Sequence, residues 1–362
     1  MKSYKNEPLK IEMPVPNGNY EVTLTIKAHE DTVYTVLSQS RRFIRVDESI
    51  SSGETRDIVF NASVCDYHKS GEEYTKVEYA QIYILCDGAV TATAAVSPVD
   101  IPTVFIAGDS TVTDQPAEYP YVPSETYCGW GQALQGLLKP GIAVSNHAQS
   151  GSHTKEFLAV NWTAFKDKIK QGDVLICEFG HNDQKLEELA AFGGYADNLR
   201  YMVNYAKERG AYPILNSPIN RIIFDPDGSL RNLLGEYRDA VKAVAEELDV
   251  PFVDMWKRTT DYFTTAGPVK SWNFFRCKGD ERDYTHTNDI GGNLIAKMFA
   301  QEAVKNNIEP IAQFVDKSRI ETEQVYADKG DSFDNSEMRE HLKTIGLVNV
   351  PIEDIDADIT KI

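Results

Sequence analysis

The sequence of 362 residues contains no Cys-x-x-Cys pair, and its five cysteines (Cys65, Cys86, Cys128, Cys177 and Cys277) are odd in number and scattered. That spacing suits neither a disulfide framework nor a structural zinc site, so reduced thiols are expected. The His-Glu-x-x-His spacing of a metallohydrolase is also missing, and neither a metal nor a cofactor is expected. No apolar run approaches the ~18 residues of a membrane-spanning helix. Positive charge is scarce, with 37 Lys and Arg against 55 Asp and Glu and a net charge of −18. Such a chain is repelled at long range by nucleic acid and by anionic membrane surfaces, so neither is expected as a partner. The opening segment, Met1–Pro16, lacks the apolar stretch of a signal peptide. A cytoplasmic location is therefore expected, with secretion followed by loss of a leader as the alternative. What remains, 42% hydrophobic and 25% charged residues, is the mixture of a folded globular protein. A homo-oligomer stays open.

Two grammars divide the chain. Tyr20, Val22, Leu24 and Ile26 alternate with Glu21, Thr23, Thr25 and Lys27 after the turn Asn17-Gly18-Asn19, the period-2 pattern of a half-buried strand. Further strands are predicted at Thr32–Leu37, Phe43–Val46, Arg56–Ala62 and Val77–Cys86, a spacing that suits a β-sandwich or jelly roll over residues 1–99. Beyond Pro102 short apolar runs alternate with amphipathic stretches. Strands are expected at Thr103–Ala107, Ile142–Asn146, Val174–Phe179, Tyr212–Asn216 and Pro251–Met255. Helices are expected at Gly129–Leu138, Lys155–Lys170, Tyr195–Arg209, Leu234–Leu248 and Gly291–Asn306. This alternation implies an α/β domain over 100–309 with a parallel sheet between helix layers. From residue 310 the chain continues as an acidic extension, with eleven Asp and Glu against four Lys and Arg in 321–362. It is expected to pack on the rest as a lid or to stay partly solvated, with a helix at Ser336–Thr344.

Four short segments follow the predicted parallel strands, where an open α/β sheet builds its ligand site. Gly108-Asp109-Ser110 places a serine hydroxyl at the first strand end, although a serine there also suits a simple turn. Asn146 to Gly151 ends in a glycine whose backbone N–H is sterically open, or which merely turns the chain. Gly180-His181-Asn182-Asp183 offers a side-chain amide that can donate to an oxyanion or cap a helix. Asp283-Tyr284-Thr285-His286, read as a loop before the last helix, spaces a carboxylate and an imidazole so that one orients the other. Among the aromatic residues, Trp130 is the candidate for stacking on a sugar ring.

Taken together, Ser, Gly, Asn and Asp-x-x-His in this order resemble the SGNH or GDS(L) hydrolases. The strings Phe105–Thr113, Gly129–Gln132, Asn146–Gly151, Phe179–Asp183 and Asp283–His286 resemble more closely the rhamnogalacturonan acetylesterases of carbohydrate esterase family 12. The resemblance covers about residues 103–305. It implies a three-layer α/β/α flavodoxin-like fold and, in front of it, a galactose-binding-like β-sandwich. It also implies Ser110 as nucleophile, His286 as base and Asp283 as its orienter. The oxyanion hole would be made by the Ser110 and Gly151 N–H groups with the Asn182 side chain. Asp109, Trp130, His153, His181 and Arg221 are the candidate substrate contacts. The implied activity is removal of O-acetyl groups from plant cell-wall oligosaccharides, rhamnogalacturonan first, with acetylated xylan or mannan, or a non-catalytic carbohydrate-binding protein, as alternatives. The sequence departs from the family pattern at Ser152-His153-Thr154 and at Ile222, where a second arginine is common.

Overall fold

The computed structural model describes residues 1–68, 74–225 and 228–322. The expected helix at Ser336–Thr344 lies outside the described residues. Two antiparallel sheets form the N-terminal part. One has the order β1 (Leu9–Pro14), β8 (Tyr79–Cys86), β3 (Thr32–Ser38), β4 (Arg42–Ile50), and the other β5 (Thr55–Val64), β2 (Gly18–Ala28), β9 (Val90–Pro98). A short pair, β6 (Tyr67–His68) and β7 (Tyr74–Thr75), lies beside them. Alternation decides which face is inside: Val22, Leu24 and Ile26 of β2 meet Val36, Ile58, Phe60, Ile82 and Ile84 in a shared core. The result is a β-sandwich. Strands β1 and β9 were not among the expected ones, because their small or exposed residues give little apolar contrast.

The second part is a five-stranded parallel sheet in the order β11 (Ala143–Asn146), β10 (Thr103–Gly108), β12 (Val174–Glu178), β13 (Tyr212–Asn216), β14 (Phe252–Val253). Numbered from its first strand this is 2-1-3-4-5, the flavodoxin-like arrangement, whose switch point lies between the first and third strands. Every residue of β10 and β12 is buried, and alternate side chains enter opposite layers. Val104, Ile106 and Ile176 pack with Trp130, Leu134, Ile295 and Phe299 on one side. Phe105, Leu175 and Cys177 pack with Phe157, Leu199, Met202 and Val241 on the other. These layers are carried by α1 (Gly131–Leu134) and α6 (Asp289–Lys305) on the first side. Helices α2 (Thr154–Ala159), α3 (Ala196–Glu208) and α4 (Gly235–Leu248) carry the second.

Three expectations need correction. The helix expected over Lys155–Lys170 ends at Ala159 and gives way to single 3₁₀ turns at Asn161–Ala164 and Lys166–Lys168. There the Thr163 hydroxyl bonds the Val160 carbonyl, competing with helix continuation. A helical segment, α5 (Met255–Ser271), broken by a kink at Gly267 with φ 75° and ψ 170°, follows a two-residue strand where a longer one was expected. The Asp283–His286 segment is not a loop. It belongs to β16 (Glu281–Thr287), which pairs antiparallel with β15 (Phe275–Lys278). The short helix α7 (Ile311–Phe314) and the chain to Ile320 pack on the α1 and α6 layer.

The sandwich and the sheet domain share one core, since Leu37 and Phe43 join the cluster that holds Leu137 and Phe299. Arg41, in the β3–β4 turn with φ 67°, crosses the junction. Its guanidinium donates two hydrogen bonds to Asp289 at 2.8 and 2.9 Å, and others to the Gln115 and Tyr127 carbonyls at 2.8 Å. Arg42 beside it pairs with Asp114 and donates to the Val144 carbonyl.

Candidate active site

Strand β10 ends at Gly108, and Asp109 Oδ1 then accepts from the Thr111 N–H at 3.0 Å and hydroxyl at 2.8 Å. This closes a tight turn with Ser110 at its apex. Asn146 fixes the same turn from the next strand end, its side-chain amide donating to the Val112 carbonyl at 2.8 Å. Gly129 backs it closely: a Cβ there would stand 2.3 Å from the Val112 carbonyl carbon and 2.4 Å from the Thr113 nitrogen. A glycine is therefore required if α1 is to begin against the turn.

Ser110 Oγ lies 2.7 Å from His286 Nε2, and His286 Nδ1 lies 2.8 Å from Asp283 Oδ2. Asp283 Oδ1 accepts from the backbone N–H groups of Thr285 and His286, both at 2.8 Å. Burial opposes ionisation of Asp283, but the His286 ring and these two N–H donors hold it below the ordinary carboxylate value. The Tyr127 ring meets the His286 ring edge-on at 5.7 Å, and the Arg276 guanidinium lies over the Tyr127 ring at 4.9 Å. The hairpin is clamped to this loop by the Cys128 N–H to the Thr287 carbonyl and by the Thr287 hydroxyl to the Cys128 carbonyl.

Three hydrogen-bond donors, the Ser110 and Gly151 backbone N–H groups and the Asn182 side-chain amide, follow the ends of three neighbouring strands of the parallel sheet, β10, β11 and β12. Gly151 has φ 79° and nothing within 4 Å of where a Cβ would stand. Among the described residues, neither the Ser110 nor the Gly151 backbone N–H meets an acceptor. Asn182 spends one amide hydrogen on the Ser152 carbonyl at 3.0 Å, which aims the group and leaves its second hydrogen for a ligand. Lys185 Nζ donates to Asn182 Oδ1 at 2.9 Å, fixing which way the amide faces. Asp183, the last residue of that motif, is buried and accepts from the Thr154 N–H at 2.9 Å and hydroxyl at 2.6 Å. Burial pushes its carboxyl up to about 7.

Most of the expected substrate contacts are in the wrong place for that role. Trp130 is wholly buried, stacks on Phe299 at 4.7 Å and donates its indole N–H to Glu178 at 2.9 Å. It is a core residue. Asp109 is wholly buried and engaged with Thr111. His181 and Arg221, each 2% exposed, lie beneath the surface, with the Arg221 charge acting on the His181 ring. His153 is half-buried and accepts the Glu156 N–H as the N-cap of α2. Of these five, it alone keeps appreciable exposure.

Sequence reading missed Glu178. It ends strand β12 with no exposed surface and gathers Trp130 Nε1 and Asn216 Nδ2 on Oε2, with Thr111 Oγ1 3.1 Å from Oε1. Thr111 has one hydroxyl hydrogen, and Asp109 Oδ1 is the nearer acceptor. A proton on Glu178 Oε1 completes the chain, donating to Thr111, which donates to Asp109. Burial, with the Asp109 charge beside it, pushes Glu178 up to about 8 and keeps that proton in place at neutral pH. Its signal in the sequence is a carboxylate ending a strand that is otherwise apolar. Among the described residues, no group of three or more His, Cys, Asp and Glu side chains is arranged to hold a metal ion.

The geometry agrees with comparisons to known proteins. The GDSL-like lipase/acylhydrolase family pattern matches residues 106–309. The rhamnogalacturonan acetylesterase RhgT of Bacillus subtilis is 36% identical over 209 residues, covering 55% of this chain and 88% of RhgT. The probable rhamnogalacturonan acetylesterase YesY of the same organism is 30% identical over 221 residues, covering 60% and 98%. The crystal structure of YxiM, also from Bacillus subtilis, is 24% identical with a TM-score of 0.55, covering 83% of this chain and 81% of that one. It shares the fold across both parts. The chain belongs to the GDSL-like lipase/acylhydrolase family.

Proposed function

We propose that this protein is a serine carbohydrate acetylesterase that removes O-acetyl groups from rhamnogalacturonan fragments. The observation that carries the reading is the unbroken relay from Ser110 Oγ through His286 to Asp283, with contacts of 2.7 and 2.8 Å. Ser110 Oγ attacks the acetyl carbonyl as His286 Nε2 takes its proton, and Asp283 stabilises the imidazolium. The Ser110 and Gly151 N–H groups and the Asn182 amide receive the oxyanion, each such donor being worth about 10²–10³ in rate. His286 returns the proton to the departing sugar oxygen, and water then releases acetate by the same steps in reverse.

Substrate class rests on charge. A galacturonate-containing chain is acidic, and Lys185, whose Nζ donates to Asn182 Oδ1, places a cation within the Gly180–Asp183 region of the site. The similarity to RhgT and YesY supports the same substrate. A second reading, a neutral acetylated xylan or mannan oligosaccharide, is favoured by the pairing of Lys155, Arg276 and Lys278 with Glu188, Glu281 and Glu118. Acetate release from acetylated rhamnogalacturonan, xylan and mannan oligosaccharides distinguishes the two. Ser110→Ala should lower the rate on the preferred substrate by at least about 10³-fold. A folded variant with the original rate would sink the serine mechanism, whereas a parent that releases no acetate from any of the three would make a non-catalytic binding protein the better account.

A further inference from the structure

A second cavity lies between the sandwich and the sheet domain, with a volume of about 620 Å³, within the ~300–1,000 Å³ usual for small-ligand sites. One wall is the outer face of β8. Strand alternation turns Ala80, Ile82 and Ile84 into the sandwich core, which leaves Tyr79, Gln81 and Tyr83 facing the cavity. Tyr79 is 40% exposed. The opposite wall is made by the loops at 113–119 and 146–150, which bring Tyr119, Gln115 and Gln149.

The lining chemistry is specific. Gln39, Gln81, Gln115 and Gln149 line the walls; Gln39 is bonded through both amide atoms to the β8 backbone, while Gln81 and Gln115 each spend one amide hydrogen, on Glu12 and Ser150, and keep a second to donate. Arg41 and Arg42 on the floor are already paired with Asp289 and Asp114. Lys76 and Glu78 contribute one charge of each sign. A phosphorylated or polyanionic ligand would need cations in excess, and a lipid would need an apolar wall. Tyrosine faces, neutral amides and balanced charge suit a polyhydroxylated ligand with apolar C–H faces, which is a sugar.

Position links the cavity to the chemistry. Gln149 and Ser150 line it and lead directly into Gly151, and Gln115 Nε2 donates to Ser150 Oγ at 3.0 Å across the two loops. The Gln149 N–H bonds the Gly108 carbonyl, two residues before Ser110. We propose that this cavity is a saccharide subsite in which the β-sandwich and the hydrolase loops together hold neutral sugar residues of the chain whose acetyl group reaches Ser110. This rests on the acetylesterase reading for the substrate, but the cavity itself is tested by binding.

The experiment uses the full chain. The ratio of kcat/KM for acetylated oligosaccharides to kcat/KM for a small aryl acetate is measured for the parent, Tyr79→Phe, Tyr79→Ala and Tyr79→Ala with Gln81→Ala. In the Ser110→Ala background, calorimetry follows binding of the same oligosaccharides after chemical deacetylation. The alanine variants should lower the ratio about tenfold through KM, and weaken binding by a similar factor, as expected for loss of an aromatic anchor. Tyr79→Phe, which keeps the ring, should stay close to the parent. Equal ratios and equal binding in all variants would overturn the proposal. A parent that binds the deacetylated chains through Tyr79 but releases no acetate would overturn the esterase reading and leave the subsite standing.

Discussion

Replacing Glu178 by glutamine should uncouple stability from pH in a calculable way. The carboxyl, held at about 8 in the fold against 4.5 for an ordinary glutamate, is raised by burial. A raised value means that the folded state binds the proton more tightly than the unfolded chain does. Its contribution is therefore complete below about pH 4.5 and is lost as pH rises through about 8. Each pH unit in that window changes stability by ~1.4 kcal/mol, so the whole span amounts to roughly 5 kcal/mol. Glutamine is neutral throughout, and its NH₂ can take the place of the proton shared with Thr111. The stability difference between the two proteins should therefore move in favour of the Glu178→Gln variant by up to ~1.4 kcal/mol per pH unit between about pH 5 and 7.5. Urea unfolding of both proteins at several pH values measures this directly. Parallel curves would refute the reasoning. They would mean that the Trp130, Asn216 and Thr111 donors keep Glu178 ionised in the fold.

Two further outcomes follow from contacts already described. Asp283→Asn should keep the fold but lower kcat by about 10⁴, because an amide favours the wrong His286 tautomer; a steady-state rate within tenfold of the parent would contradict the relay. Arg41→Ala should cost ~3–5 kcal/mol in urea unfolding, since Asp289 is left as a buried charge, and a loss under about 1 kcal/mol would show that water reaches the junction.

Much of this arrangement was legible in the sequence, and the exceptions have physical causes. Period-2 alternation exposed β2, and unbroken apolar runs exposed β10 and β12, because each pattern follows directly from how many faces a strand buries. Ser110, Gly151 and Asn182 drew notice from their places after strand ends, but position alone left turn and cap readings open, and only the resemblance to the SGNH hydrolases implied their roles. Asp283 and His286 were chosen correctly as neighbours but assigned to a loop, since Tyr284, Thr285 and Thr287 are all buried and show no polar–apolar alternation. Trp130 misled because an indole packed in a core and one stacked on a sugar look alike in sequence. What separates them is Glu178, 48 residues away, a contact that no local pattern encodes. Segment α5 was missed because Gly267 leaves helical geometry just before Pro268 and splits the period into two shorter runs.

Arg41 and Asp289 constrain how such a chain can be shortened. Asp289 is wholly buried and takes hydrogen bonds from Arg41 and Tyr121. A gene that lost the first hundred codons would specify a hydrolase whose last long helix begins with a carboxylate that has lost its Arg41 partner and keeps the Tyr121 hydroxyl and the helix N-terminus. The sandwich is thus tied by one guanidinium to a residue 248 positions away, so removing it strips an ion pair from the start of the last long helix.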